Sequence, residues 1–281
     1  MPLTTDTTST AAVSEATLGI ARTLFPQSST AFISNVFAGA DRFFAGGHPD
    51  YQANDLKYHD FRHTLQVTVA YVDLIAGRQK TDARPITPRE FEMGLAAALF
   101  HDSGYLKLRS DHEGTGAKYT WCHVLRSCAL AASYLPSLGL TIDEVDVVLG
   151  AIRATGSSMI GMRLRFTRKE HQFLACAVAS ADYLAQMAAS DYPDELGLLF
   201  DEFAEADDFM HMPAGHRPFK SAVGLAAGTT EFWQHVVKPK LEKDFHGVYR
   251  FLAAADGSHP YVDAIERNLR IIAQRADGGA P

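Results

Sequence analysis

The sequence is poor in the features that mark several large classes of protein. It has three cysteines in 281 residues, and Cys122, Cys128 and Cys176 show neither the even number of a disulfide framework nor the spacing of a zinc finger. We therefore expect free thiols in a reducing compartment, the cytoplasm. The N-terminal stretch MPLTTDTTSTAAV has no basic region and no apolar block, so we expect no secretory signal. No apolar run approaches the length that spans a bilayer, so no membrane contact is expected.

Positive charge is also in short supply. Lys and Arg number 26 against 33 Asp and Glu, which gives a net charge of −7. A nucleic-acid polymer or an anionic membrane attracts proteins with a surplus of Lys and Arg, so neither is an expected partner. A small phosphorylated substrate remains compatible with this balance, because bound metal ions can neutralise a phosphate locally.

Signals for β-strands are missing, whereas signals for helices are frequent. The sequence has no alternating apolar pattern, no Asn-Gly hairpin, no βαβ rhythm and no Gly-rich phosphate loop. Capping boxes are predicted at TPRE (87–90), TIDE (141–144) and TRKE (167–170), the last opening a helix that runs through Asp182 to about residue 189. Further helices are expected near 14–25, 29–45, 64–77, 117–135, 193–206, 228–255 and 260–275.

These patterns together predict an all-α fold. We expect one compact multi-helix domain over 14–274, preceded by a disordered tail at 1–13 and followed by a flexible tail at 275–281. Apolar helices such as 29–45 are candidates for pairing between two copies of the chain, so a homodimer is one expectation for its assembly.

Three imidazoles and a carboxylate stand at two places in this helical pattern. His59 and His63 are four residues apart in YHDFRH, so on a helix they would share a face. His101 and Asp102 end the apolar run LAAALF, where burying both is costly unless they share a partner. A metal ion is the simplest partner: this donor set suits Zn²⁺, Mn²⁺, Fe²⁺ or Ni²⁺, and the carboxylate also admits Mg²⁺. Asp182, alone in the apolar helix FLACAVASADYLAQM, is the best candidate for a fourth ligand.

These motifs resemble a known family. YHDFRH is similar to the Tyr-His-Asn-x-x-His motif of cyclic-nucleotide phosphodiesterases, and His101-Asp102 resembles the pair that names the wider HD superfamily of metal-dependent phosphohydrolases. The segments AIRAT at 151–155 and FWQHVVKP at 232–239 resemble two further family segments. The resemblance spans about 58–240. It implies hydrolysis of a phosphoester, most simply a 3′,5′-cyclic nucleotide or a related small nucleotide diester, with one or two divalent metal ions as cofactors.

Site roles follow from the same resemblance. It implies that His63, His101, Asp102 and Asp182 hold the first metal ion, and that Asp102 also bridges to a second. His59 is then the general acid that protonates the leaving oxygen while a water activated by the metals attacks phosphorus. Histidine suits this role because its unperturbed pKa lies near physiological pH.

The ligands of the second metal ion and of the substrate are less constrained. The family motif His-Asp-x-x-His-Pro-Gly is not matched here, and the next histidines are His112, in an expected loop, and His123, on an expected helix. His123 is the better candidate for the second metal and His112 the weaker. The following residues are candidates for binding substrate: Lys107 and Lys118, which bracket the loop after the His-Asp pair; Thr229, which replaces a purine-binding glutamine of the family; and Phe232, which either stacks on a base or packs in the core.

Three other functions stay open on the sequence alone. A nucleotide phosphomonoesterase would use the same metal ligands on another substrate. A di-iron oxygenase of the HD fold would need His112 and His123 as additional ligands. A non-catalytic sensor would bind a nucleotide through a degenerate site, although every ligand type of the first metal is intact here.

Overall fold

The computed structural model describes residues 5–81, 83–156 and 166–278. Over these ranges the chain forms ten α-helices and no β-strand, which confirms the predicted all-α fold. The helices are α1 Thr10–Leu24, α2 Ala31–Phe44, α3 Phe61–Arg78, α4 Pro88–Phe100, α5 His123–Tyr134, α6 Ile142–Thr155, α7 Lys169–Ala188, α8 Tyr192–Phe209, α9 Ala222–Phe232 and α10 Pro260–Gly278.

Two of the three predicted capping boxes form. At 87–90 and 141–144 the threonine side chain accepts from the glutamate N–H, and the glutamate side chain accepts from the threonine N–H. The box at 167–170 is wrong, because α7 begins after Arg168, which makes no capping bond with its side chain. Glu170 instead lies near the guanidinium groups of Arg84 and Arg168, at 3.4 Å and 3.5 Å. The Glu170 carboxylate is thus engaged in ion pairs and not in a cap.

Several predicted boundaries also differ. Helix α1 begins at Thr10 with Ser9 as its cap, inside the stretch expected to be disordered, and α10 extends to Gly278. The helix expected over 228–255 is broken into the end of α9, two π-helical turns and a 3₁₀ turn. Pro239 lies between the π-helical turns, where its missing N–H interrupts the hydrogen bonding of a regular helix. Gly247, with a φ of 67°, separates the second π-helical turn from the 3₁₀ turn Val248–Leu252.

Helix α4 is the centre of the core. Every residue from Gly94 to Phe100 is buried, as expected for a helix that is apolar on all sides. Helix α7 packs against α3, α4, α6 and α10. Because α4 ends at His101, the His-Asp pair lies at the end of the most buried helix, with α3 and α7 beside it. The core thereby places polar side chains from three helices in one region.

Among the described residues, no single helix has both the length and the apolar character needed to cross a bilayer. Helices α7 and α8 meet that test only when they are taken as a pair, and the pair bends by 114° at its break.

Replacing either of two helical glycines by alanine should change the stability of the protein, in opposite directions. A Cβ on Gly94 would lie 2.0 Å from the hydroxyl oxygen of Tyr71, which donates to the Phe91 carbonyl. We expect Gly94→Ala to lower the free energy of unfolding by about 1–3 kcal/mol, the usual cost of overpacking a core. Gly19→Ala, where a Cβ meets nothing within 4 Å, should raise it by about 0.5–1 kcal/mol through helix propensity. Urea denaturation measures both, and an unchanged stability of Gly94→Ala would contradict this packing.

Candidate metal centre and active site

Side chains from three helices converge at the end of α4. His63 lies in the first turn of α3, His101 and Asp102 follow the last turn of α4, and Asp182 lies in the second half of α7. The Nε2 atom of His63 is 3.5 Å from Asp102 Oδ2 and 3.3 Å from Asp182 Oδ1. The Nε2 atom of His101 is 3.2 Å and 3.7 Å from the same two oxygens. The four residues expected to hold the first metal therefore lie together.

The donor atoms at this point fit a cation. His63, His101 and Asp102 are 5%, 1% and 3% exposed, and one ligand atom from each lies within 4.8 Å of the other two. His63 Nε2, His101 Nε2 and Asp102 Oδ2 are buried without a hydrogen-bond partner. A buried polar atom left unpaired costs about 1–3 kcal/mol. A divalent ion would satisfy all three atoms at once, and two imidazoles with carboxylates are a common donor set for one.

Backbone carbonyls select the tautomer of two of the imidazoles. His101 Nδ1 is 2.9 Å from the Ala98 carbonyl oxygen, and His123 Nδ1 is 2.7 Å from the Thr120 carbonyl oxygen. Because a carbonyl only accepts, each Nδ1 carries the proton and donates it. In the neutral ring the lone pair is then on Nε2, the atom that faces Asp102, as a metal ligand requires.

The two oxygens of Asp102 face different imidazoles. Oδ2 faces His63 and His101, whereas Oδ1 is 3.6 Å from Nε2 of His123, the first residue of α5. The carboxylate therefore has one oxygen towards each set of imidazoles. The bridging role of Asp102 and metal binding by His123 stay predictions.

Electrostatics at this point favour bound positive charge. Burial opposes charging of the His101 ring, but the carboxylates of Asp102 and Asp182 outweigh it and raise the pKa of His101 to about 9. Burial likewise opposes ionisation of Asp102, yet the surrounding imidazoles hold its pKa well below the usual range. Burial lowers the pKa of His123, which keeps that ring neutral. A proton and a metal ion compete for the same Nε2 lone pairs here.

His59 lies outside α3, so the expectation that it shares a helix face with His63 is wrong. Helix α3 begins at Phe61, and its cap is Asp60, whose side chain accepts from the His63 N–H at 2.9 Å. The rings of His59 and His63 are nevertheless neighbours, with centroids 5.9 Å apart. An irregular, bent segment before the helix, and not the helical repeat, brings His59 to the site.

Glu202 of α8 holds His59 in place. Its Oε2 is 2.7 Å from His59 Nδ1, and its Oε1 accepts from the N–H groups of Lys57 and Tyr58 at 3.1 Å and 2.8 Å. Burial opposes charging of His59, but Glu202, helped by Asp102, raises its pKa above the ordinary value. The sequence did not single out Glu202, because it is one of many acids in the segment FDEFAEADDF and no spacing distinguishes it.

The two lysines expected to bind phosphate have partners inside the protein. Lys107 Nζ lies 2.9 Å from Asp55 Oδ2, and Lys118 Nζ lies 2.5 Å from Asp111 Oδ1. Both side chains are buried, and each also donates to a loop carbonyl. They brace the loop between them, in which His112 is exposed. Binding of phosphate by the lysines and of metal by His112 stays a prediction.

The two residues expected to contact a base lie on α9. Thr229 is 3% exposed and its hydroxyl donates to the Leu225 carbonyl, so it faces its own helix. Phe232 is 39% exposed, and its ring centroid lies 6.4 Å from that of Tyr183, the neighbour of Asp182. Phe232 is therefore open to a ligand, whereas the Thr229 hydroxyl already has a partner; both roles stay predictions.

Comparison with known proteins gives a likeness of fold. No family model matches the chain, and no curated protein matches it. Two solved structures of the phosphodiesterase domain of the rhodopsin phosphodiesterase from the choanoflagellate Salpingoeca rosetta are similar to it. The TM-scores are 0.62 and 0.61 at 16% identity, and the matches cover 96% of this chain and 91% and 89% of those chains. At this identity the likeness establishes the architecture alone.

Removing one ligand should remove the metal. We expect His63→Ala and Asp102→Ala each to weaken divalent-metal binding by at least about tenfold, the lower range seen for disturbed metal sites. Metal content after dialysis, measured by inductively coupled plasma mass spectrometry, checks this. His235→Ala is the control, because that side chain is 74% exposed and paired with Glu231. Full metal retention by His63→Ala, or equal loss in the control, would contradict the site.

Proposed function

We propose that this protein is a metal-dependent phosphohydrolase that cleaves a phosphodiester, with a 3′,5′-cyclic nucleotide or a related small nucleotide diester as its substrate. The observation that carries the proposal is the cluster of buried, unpartnered donor atoms of His63, His101 and Asp102, with His59 beside it. The fold shared with phosphodiesterase domains supports the same assignment.

Each side chain of the centre has a task in this reaction. His63, His101, Asp102 and Asp182 would hold a first ion, and Asp102 Oδ1 with His123 would hold a second. Zn²⁺, Mn²⁺, Fe²⁺, Ni²⁺ and Mg²⁺ all accept this mixture of imidazole and carboxylate. When bound, such ions stabilise the charge that develops on the phosphoryl oxygens and lower the pKa of a water ligand to about 7.

His59 is suited to protonate the leaving group. Its Nδ1 is engaged with Glu202, so Nε2 is the nitrogen left to face the substrate. Glu202 favours the protonated ring, and a departing alkoxide needs a proton because it is a poor leaving group. The Glu202 carboxylate also fixes the position of the His59 ring, because it accepts hydrogen bonds from the backbone N–H groups of the two preceding residues.

The charges around the site favour a diester over a monoester. Lys107, Lys118 and Arg62, three cations in or beside the motifs, are each paired with a carboxylate. A phosphodiester carries one negative charge and a monoester close to two. The diester therefore needs less positive charge from the surrounding side chains. The oxygenase alternative requires His112 as well as His123, and an exposed His112 gives it no support.

The substrate class is tested with bis-p-nitrophenyl phosphate and p-nitrophenyl phosphate, each assayed with the five candidate metals, followed by a panel of cyclic nucleotides. We expect kcat/KM for the diester to exceed that for the monoester by at least about tenfold, because its single charge is easier to accommodate. The opposite preference would indicate a phosphomonoesterase. Absence of hydrolysis of every phosphoester by metal-loaded protein would overturn the enzymatic assignment.

The role of His59 has a separate test. We expect His59→Ala to keep its metal and to lose about 10²–10⁴-fold in turnover of a cyclic nucleotide, the usual contribution of a general acid. Steady-state kinetics and metal analysis on the same preparation check both, with His235→Ala as the control. If His59→Ala lost the metal while His63→Ala kept it, the two roles would be reversed.

A further inference from the structure

Tyr105 contacts two of the imidazoles of the site. It ends the 3₁₀ turn Ser103–Tyr105, which directly follows Asp102, and it is 1% exposed. Its ring stacks on His59 with centroids 4.8 Å apart and an angle of 21°, and on His123 with centroids 4.4 Å apart and an angle of 10°. One aromatic side chain therefore packs against both the expected proton donor and the expected second-metal ligand.

The turn that carries Tyr105 is held tightly against the start of α5. A Cβ on Gly104 would lie 1.9 Å from the carbonyl oxygen of His123, so only glycine permits this approach. The Gly104 N–H donates to Ser127 Oγ at 2.8 Å, and Arg126 Nε donates to the Gly104 carbonyl at 2.6 Å. These contacts fix Tyr105 relative to His123.

The hydrogen bonds of the two imidazoles do not fix the orientation of their ring planes, and stacking on Tyr105 does. His59 Nδ1 is held by Glu202, and His123 Nδ1 is held by the Thr120 carbonyl. A single hydrogen bond to one ring nitrogen fixes that atom but permits the ring plane to turn about it. A flat neighbour on the face of each ring removes that freedom, and so sets the direction of both Nε2 atoms.

We propose that Tyr105 is a positioning residue that holds His59 and His123 in a fixed relative orientation. The proton donor and the second-metal ligand then both point towards the same phosphodiester. The inference rests on the proposed function. It assigns to one side chain an influence on two steps: protonation of the leaving oxygen and retention of the second ion. Loss of the ring should therefore produce two defects, whereas His59→Ala should produce only the first.

The test compares the fully metal-loaded chain with Tyr105→Phe, which keeps the ring, and Tyr105→Leu, which removes it. Tyr71→Leu is the control, because Tyr71 is also fully buried and its hydroxyl donates to Phe91 in the core. Each protein is assayed in saturating divalent metal on two diesters, one releasing p-nitrophenol and one releasing an alkyl alcohol. Metal content after dialysis and the proton resonances of the imidazoles in the metal-free protein are measured in parallel.

We expect Tyr105→Leu to lose about 10²-fold or more on the alkyl ester but less than about tenfold on the nitrophenyl ester, which leaves without a proton donor. It should also lose metal, and the His59 and His123 resonances should move as the ring current disappears. Tyr105→Phe should stay within about threefold of the original on both esters, since the stack is intact. Tyr71→Leu should keep the metal content and the ratio of the two rates.

Equal losses of Tyr105→Leu on the two esters with full metal content would overturn the proposal, as would a Phe variant as defective as the Leu variant. If Tyr105→Leu does not fold, Tyr105→Met, whose flexible side chain fills irregular space, replaces it. If the original chain hydrolyses no phosphoester, the proposed function fails. In that case the positioning role of Tyr105 is tested only by the metal content and the imidazole resonances. If neither changes in Tyr105→Leu, the positioning role is overturned.

Discussion

The structure depends on a cluster of buried imidazole and carboxylate atoms that make no hydrogen bond to the rest of the protein. His63 Nε2, His101 Nε2 and Asp102 Oδ2 lie at the end of α4, away from water and without hydrogen-bond partners. Such an arrangement is costly in a folded chain unless a ligand offsets it, and a cation is the one ligand that three acceptors can share. The core keeps these atoms in place: the last two turns of α4 are apolar on all sides, and α3 and α7 pack against this helix.

Helix α8 organises the segments around this centre. Glu202 accepts from the backbone of the segment that carries His59, and one turn later Glu205 accepts from the N–H and hydroxyl of Thr115 at 2.5 Å and 2.7 Å. The Thr115 loop is tied in turn to the His59 segment, because the Gly116 N–H donates to Asp55. Carboxylates of one acidic helix thus order two irregular segments that have little regular structure of their own.

The departures from the family motif have structural explanations. Asp60, at the position of the motif's asparagine, caps α3 and orders the turn that holds His63. Tyr105 stands where the third histidine of His-Asp-x-x-His would be, and the imidazole on that side of Asp102 is His123, delivered by α5. The lysines expected to meet phosphate are each paired with a carboxylate and brace a loop.

The sequence by itself determined the helical architecture, and it pointed to the four candidate metal ligands that the fold brings together. Capping boxes, apolar periodicity and the end of an apolar helix are local signals, and His101 and Asp102 could be located from them. Tertiary structure alone decided which distant side chains complete the site. Glu202 is 143 residues from His59, and no local pattern distinguishes it from its acidic neighbours. The stack of Tyr105 on His59, the ion pair of Lys107 with Asp55 and the ion pair of Glu170 with Arg84 are likewise contacts between segments far apart in the chain. Their energies depend on distances that only packing defines.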